Sequence, residues 1–305
     1  METMADNTEH LDLTVLLPAF NEEEAITPTL DELKAVLHLL DCSWEILVVN
    51  DSSTDKTAEL AEALGARVIT RMHRAGAGAA RRTGILAAKG DIVLMMDADG
   101  SYDPSTIPEM LTYFPDYDQV NGARHKEMGT LPLLRAPVKW LLKSIASFLS
   151  GYHIPDLNTG LKAFKKDLMT RYLWVIPDGF SCVTTMTLAF LCNDHAVKYV
   201  STTYRKRIGK SKFHPVKDTG LFFMTIIRMI MYFKPLSIFI PATIFIFSSA
   251  VVKSIYELLW GAKQMQQIDV VLFVLSGVIM MVGLLADLIV STQKQRVFDY
   301  QNKNK

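Results

Sequence analysis

"DIVLMMDADG", residues 91–100, is the stretch on which the reading of this chain turns. An apolar run ends in two aspartates one alanine apart, and no opposite charge lies within several positions of them. The run is continuous rather than alternating, as expected of a strand covered on both faces of its sheet. A strand turns successive side chains to opposite faces, so Asp97 and Asp99, at i and i+2, point the same way at the sheet edge and repel. A shared cation relieves that repulsion. With oxygen donors alone and no His or Cys beside them, the pair suits a hard divalent ion, Mg2+ or Mn2+. The alternative is that both acids cap the turn marked by Gly100 and Pro104.

Upstream, three further apolar runs read as strands: LTVLLPAF (13–20), EILVVND (45–51) and ARVIT (66–70). Helical patterns fill the intervals at about 25–40, 54–64 and 78–89. Strand then helix, repeated, predicts an α/β doubly wound sheet. Ligands bind such sheets beyond the carboxyl ends of the strands. The segments standing there are PAFNEE, NDSSTDKT, RMHRAGAGAARRTG and DADG, each polar or glycine-rich. Gly76 and Gly78 open a helix, which lets backbone N–H groups approach an anion, and Arg71, Arg74, Arg81 and Arg82 surround them. No GK[ST] follows, so this is not a Walker loop, and a capped turn accounts for the same residues. Ser53 or Thr54 reads equally as a plain helix N-cap.

The chain has 305 residues, half of them apolar, with 32 basic and 32 acidic side chains. A balanced charge creates no field toward nucleic acid, and no nucleic-acid partner is expected. Cys42, Cys182 and Cys192 lack metal-ligand spacing and read as reduced thiols. Residues 1–12 are polar, without the apolar core of a signal peptide, and are expected to be flexible. The C-terminal third differs: residues 235–252 carry no charge and as a helix span about 27 Å, the thickness of a bilayer core. Residues 270–286 form a second such segment. Arg228 and Lys234 before the first span, and Lys294 and Arg296 after the second, place both ends in the cytosol. The expected organisation is a cytosolic domain over 13–215, an interfacial helix over 216–234, two transmembrane helices within 235–290, and a cytosolic tail over 291–305. Residues 132–151 place Arg135, Lys139 and Lys143 on one face of an apolar helix, suited to a membrane interface or to packing on the core.

Taken in order, PAFNEE, VVNDSSTDKT, GAGAARRTG, MMDADGSYDP, DLNTGLKAF and RIGKSK resemble the GT-A fold, family 2 glycosyltransferases, and within them the polyprenyl-phosphate glycosyltransferases. The resemblance runs from about residue 13 to 215. It implies a GT-A (Rossmann-like) domain that moves one sugar, with inversion, from a nucleotide sugar of UDP-glucose or GDP-mannose type to a polyprenyl phosphate. It further implies that Pro18, Phe20, Glu22 and Asp51, with Gly76 and Gly78, bind the nucleotide sugar. Asp97 and Asp99 would reach its diphosphate through the divalent metal, and Asp99 and Asp156 would be catalytic. Asp156, in PDLNTG, either orients the acceptor or acts as base, or else is a loop cap with Asn158. Arg124, Arg207, Ser211 and Lys212 fit the acceptor phosphate, since Arg grips oxygens in a fork and Lys supplies a point charge. The basic cluster also suits anionic lipid headgroups.

The chain departs from the family pattern at three places. Asn50, Asp51 and Ser52 stand where relatives often have two aspartates and a glycine, Ser101 where many have Gln near the metal, and residues 178–187 offer hydroxyls where relatives often offer Glu. The acceptor needs holding more than deprotonating, because a lipid phosphomonoester has its second pKa near ~6 and is mostly a nucleophilic dianion at neutral pH. Two other readings share the nucleotide half. A processive polysaccharide synthase calls for a QxxRW motif and more spans than this chain carries. A membrane-tethered nucleotide-sugar sensor or scaffold would have no use for an acceptor-phosphate grip. Membrane hairpins of this kind associate, and a homo-oligomer is expected.

Overall fold

The computed structural model describes residues 11–124, 143–148, 150–179, 181–209, 215–261 and 264–303. Among them two compact units emerge, one within 1–145 and 153–226, the other within 146–152 and 227–305.

The first unit opens β1 (Leu11–Ala19), α1 (Glu23–Leu37), β2 (Trp44–Asn50), α2 (Thr57–Ala63), β3 (Arg67–Thr70), α3 (Ala77–Ala87) and β4 (Gly90–Met95). After a 3-10 turn at Pro104–Thr106 come α4 (Ile107–Leu111), β5 (Gln119–Arg124), β6 (Lys162–Lys165), α5 (Lys166–Thr170), α6 (Cys182–Leu191) and β7 (Val197–Thr202). The strands form one sheet ordered β3-β2-β1-β4-β6-β5-β7. Continuous apolar runs form its centre because both faces are covered. Val15 and Leu17 of β1 pack on one side with Ile26, Leu30 and Leu33 of α1. Leu16, between them, packs on the other with Ala80 and Ile85 of α3. In α1 the buried positions Ile26, Leu30, Leu33 and Leu37 recur at helical spacing.

The doubly wound expectation needs one amendment. β6 runs antiparallel between β4 and β5, while β1 to β4 and the β5–β7 pair are parallel. The chain winds outward from β1 through β2 to β3, then returns to β4 on the other side of β1. That reversal opens a crevice beyond the carboxyl ends of β1 and β4. Pro18, with no N–H to give, is tolerated in a central strand because β1 pairs with β4 only up to Leu16.

α7 (Pro215–Phe233) spans the stretch expected to be an interfacial helix. The second unit contains α8 (Leu236–Leu259) and α9 (Gln267–Lys303), so the expected tail continues the last helix as far as Lys303. Both helices are long and apolar enough to cross a membrane, and only 6% and 17% of their apolar windows are buried, unlike the core helix of a soluble domain. Lys253 on α8 pairs with Asp269 on α9 at 2.8 Å, so neither charge is left alone in the hairpin. Of the amphipathic stretch, Lys143 to Phe148 are helical, whereas Arg135 and Lys139 lie outside the described residues.

Candidate active site

β4 stops at Met95, so Asp97 and Asp99 lie in the turn beyond the strand rather than on it. Strand alternation is therefore not what brings them together, contrary to the sequence reading. The turn closes at Gly100, whose φ of +69° suits glycine, and its Ser101 N–H donates to Asp99 Oδ1 at 3.1 Å.

Chain neighbours give these acids no opposite charge, but the fold does. Arg81, on α3, reaches Asp97 at 2.5 Å and is almost fully buried. Its other terminal nitrogen donates to Cys182 Sγ at 3.1 Å. Arg207 reaches Asp99 at 2.9 Å. It is delivered there by a loop that zips onto the aspartate turn: Ile208 N–H donates to the Asp99 carbonyl at 3.0 Å and Arg205 N–H to the Ser101 carbonyl at 2.7 Å. Burial, then the neighbouring Asp97 charge, push the Asp99 carboxyl above the usual range, and Arg207 pulls it back. Two close carboxylates, one of them strained toward protonation, form an all-oxygen donor set that fits a hard divalent cation. Among the described residues no third His, Cys, Asp or Glu joins them. Gly160 leaves the room Asp97 occupies, since a Cβ there would come within 2.5 Å of Asp97 Oδ2.

Beside this pair stands a second one. Arg124, at the end of β5, forks onto Asp156 at 2.7 and 3.0 Å, and Asn158 N–H adds a bond to the same carboxylate at 3.1 Å. Burial alone would raise the Asp156 carboxyl, but the Arg124 bonds and charge outweigh it and hold it below the usual range. A carboxylate so held is a weaker base than a free one. The Arg124 guanidinium also lies 5.2 Å from the Tyr204 ring centroid.

Asp51 is almost fully buried after β2 and accepts from Gly76 N–H at 2.7 Å and Ala75 N–H at 3.2 Å. Gly78 N–H donates to the Asp178 carbonyl at 2.7 Å. Both glycine N–H groups are thus engaged within the protein, and the open anion cradle expected of Gly76 and Gly78 is not formed by them. They are glycines because backbone runs against them: a Cβ would meet the Asp178 carbonyl oxygen at 2.6 Å from Gly76 and the Pro177 carbonyl oxygen at 1.9 Å from Gly78. Phe20 sits at the end of β1 with the Arg74 guanidinium 3.9 Å above its ring. Glu22 leads into α1, its carbonyl accepting from Ile26 N–H. Ser52, at φ +61°, occupies a backbone conformation that favours glycine, and its hydroxyl donates to the Arg71 carbonyl at 2.6 Å. Ser211 and Lys212 lie outside the described residues.

The hydroxyls of α6 are structural. Thr185 and Thr187 donate to carbonyls one turn back, and Thr184 to the Leu157 carbonyl. Sequence reading passed over Lys162, whose side chain is fully buried in the sheet. The signal available was a lone lysine within the otherwise apolar LKAF.

The family model for glycosyl transferase family 2 matches residues 14–173, and that for the GtrB C-terminal hairpin matches residues 234–292. A dolichyl-phosphate hexose transferase of Haloferax volcanii is 32% identical over 206 residues, covering 67% of this chain and 87% of that protein. A dodecaprenyl-phosphate galacturonate synthase of Rhizobium johnstonii is 28% identical over 224 residues, 66% of this chain and 65% of that one. In fold, glucosyl-3-phosphoglycerate synthase from Mycobacterium tuberculosis, solved with Mn2+, UDP-glucose and phosphoglyceric acid, superposes with a TM-score of 0.58 at 22% identity, over 72% of this chain and 80% of that one.

Proposed function

This chain belongs to glycosyl transferase family 2, and on that footing we propose that it transfers one sugar from a nucleotide sugar, of UDP-glucose or GDP-mannose type, to a polyprenyl phosphate. The relatives named for transfer to polyprenyl phosphates, and a GtrB-type hairpin following the catalytic domain, support this acceptor. The protein is read as a two-span membrane enzyme whose catalytic domain faces the cytosol, assembling as a homo-oligomer.

In this mechanism a phosphate oxygen of the lipid attacks the sugar's anomeric carbon from the face opposite the leaving group. The new bond to the acceptor phosphate forms as the bond to the nucleoside diphosphate breaks, and the bonding pair leaves with the diphosphate. The nucleophile is already a dianion, so it needs holding rather than deprotonating. Arg124, its fork held by Asp156, and Arg207 set positive charge and their remaining N–H donors toward that phosphate, with Ser211 and Lys212 on the segment that follows. Pro18, Phe20, Glu22 and Asp51 border the nucleotide side, where Phe20 offers a flat face for a base and Asp51 fixes the loop around it. Asp97 and Asp99 would hold Mg2+ or Mn2+, which when bound offsets the charge on the departing diphosphate. Arg81 fixes the Asp97 carboxylate in place for that purpose.

The observation that carries the reading is the pair Asp97 and Asp99 at the crevice beyond β1 and β4, with Arg207 bonded to it and the Arg124–Asp156 fork in the same unit. The test is incubation of the detergent-purified protein with a short polyprenyl phosphate, Mn2+ or Mg2+, and a panel of UDP- and GDP-sugars, followed by mass spectrometry of the lipids. One glycosylated lipid phosphate, lost with chelator, is expected. Binding of nucleotide sugar with no lipid product from any donor would favour a sensor instead.

A further inference from the structure

The two arginines at the aspartate turn are held differently. Arg81 lies on α3 with 5% of its side chain exposed, bonded to Asp97 through one terminal nitrogen and to Cys182 Sγ through the other. It has no room to exchange partners. Arg207 bonds Asp99 Oδ2 at 2.9 Å, yet 35% of its side chain is open, against 7% for the aspartate. In this pair the arginine is the member that can leave.

Both oxygens of Asp99 are engaged: Oδ1 accepts from Ser101 N–H at 3.1 Å and Oδ2 from Arg207. The two carboxylates and two guanidiniums cancel in charge. A divalent cation brought to the pair therefore meets Arg207 on one of the oxygens it would use, and is repelled at short range.

The segment that carries Arg207 reaches the acceptor side as well. Residues 204–208 run along the aspartate turn as a strap: Tyr204 bridges Tyr102, Arg205 N–H donates to the Ser101 carbonyl and Ile208 N–H to the Asp99 carbonyl. Tyr204 packs edge-on against Tyr102 with ring centroids 5.2 Å apart, and the Arg124 guanidinium lies 5.2 Å from the Tyr204 ring. Through Tyr204 the strap touches the Arg124–Asp156 fork, and through Arg207 the Asp97–Asp99 pair. Backbone bonds hold the strap, so the Arg207 side chain can turn without the strap moving.

We propose that Arg207 is an exchangeable counter-ion: it neutralises Asp99 until an acceptor phosphate takes its guanidinium, and that exchange opens Asp99 to the divalent cation, so lipid phosphate and metal bind cooperatively. The proposal rests on the reading of Arg207 as an acceptor-phosphate ligand. A phosphate dianion is the stronger partner, since it offers the fork two oxygens and more charge than a carboxylate. By linkage, metal and lipid phosphate tighten each other by the same factor. The leaving group is then activated only with an acceptor in place, which keeps the nucleotide sugar from reacting with water.

The experiment is Mn2+ titration of the detergent-purified full-length chain without nucleotide at pH 8, followed by the electron paramagnetic resonance signal of the free ion. With polyprenyl phosphate the parent is expected to bind Mn2+ about tenfold more tightly than with the matching polyprenol or no lipid. Arg207→Gln should bind Mn2+ at the tight level without lipid and gain nothing from it. Lys206→Gln, which removes the same charge from an exposed neighbour on the strap, should behave as the parent. Equal Mn2+ affinity in Arg207→Gln and the parent would overturn the proposal. So would a lipid effect that persists in Arg207→Gln, because the phosphate would then be ligating the metal by itself. If Arg207→Gln does not fold, Ile208→Pro, which removes the N–H that pins the strap beside Arg207, should tighten Mn2+ in the same direction, and unchanged affinity would again overturn it. Lipid product from the parent alongside any of these contrary results would sink the exchange and leave the transfer reading standing. No product from any donor, with Mn2+ tightened by the lipid phosphate in the parent and not in Arg207→Gln, would do the reverse.

Discussion

Asp99 is the residue on which the chemistry depends. It is buried, raised above the ordinary carboxyl range by burial and by Asp97, and tied to Arg207, an arrangement too costly to serve only as a turn cap. Asp99→Ala is expected to lower kcat by at least about 100-fold, the loss typical of one preorganised electrostatic group, while nucleotide binding through the β1 and β2 loops persists. Turnover assays beside nucleotide titration calorimetry check both halves. Asp156 lends itself to a stability measurement. Its folded carboxyl sits below its unfolded value, so its contribution is complete above the ordinary carboxylate range and is lost as pH falls through the folded pKa. Denaturation midpoints between pH 6 and 3 should fall more steeply for the parent than for Asp156→Asn. At neutral pH that variant should be less stable by about 3 kcal/mol, because Arg124 is left buried without its partner. The aspartate pair was visible in the sequence because nothing nearby balanced it. The balancing arginines were not, since Arg81 is 16 positions away from Asp97 and Arg207 arrives from the far side of the domain.

At the scale of elements, β1, β2 and β4 were legible because their central residues are buried on both faces and read as unbroken apolar runs, and the half-buried edge strand β3 because it keeps the short apolar run VI. The other half of the sheet was not. β5 buries Gln119 and Asn121, and β6 is four residues long with Lys162 inside it, so neither shows the run that marked the others. Polar side chains that satisfy one another in a core erase the hydrophobic pattern while leaving the strand intact. The glycine-rich turn misled in the opposite direction. Its composition suits a phosphate, but Gly76 and Gly78 answer to the crossing of residues 177–178 over the start of α3. Gly78→Ala is therefore expected to cost roughly 3 kcal/mol or more, because both the Pro177 backbone and α3 would have to move. Gly179→Ala, with nothing within 4 Å of the new methyl, should be close to neutral. Thermal or chemical melts of the two variants distinguish a packing glycine from a ligand-binding one, whose loss would spare stability.

For the whole molecule, the claim is that a family 2 catalytic domain is tethered by its own hairpin to the membrane holding its acceptor. α8 and α9 expose apolar side chains along most of their length, among them Phe245, Val252, Val271, Leu285 and Leu288, and such a surface calls for lipid. The chain should stay in the membrane pellet after an alkaline carbonate wash. A cysteine placed at Gly261, in a Cys-free background, should react with an impermeant maleimide from the side of the membrane opposite the catalytic domain, whereas one at Leu39 should react only after permeabilisation. Labelling of both from one side would exclude two spans. The most direct measurement is release of nucleoside diphosphate by the purified enzyme with polyprenyl phosphate, compared with the matching polyprenol and with no lipid. Release that requires the lipid phosphate and equals the glycosylated lipid formed is the predicted result. Release at the same rate with polyprenol, or with no lipid at all, would contradict transfer to a lipid phosphate.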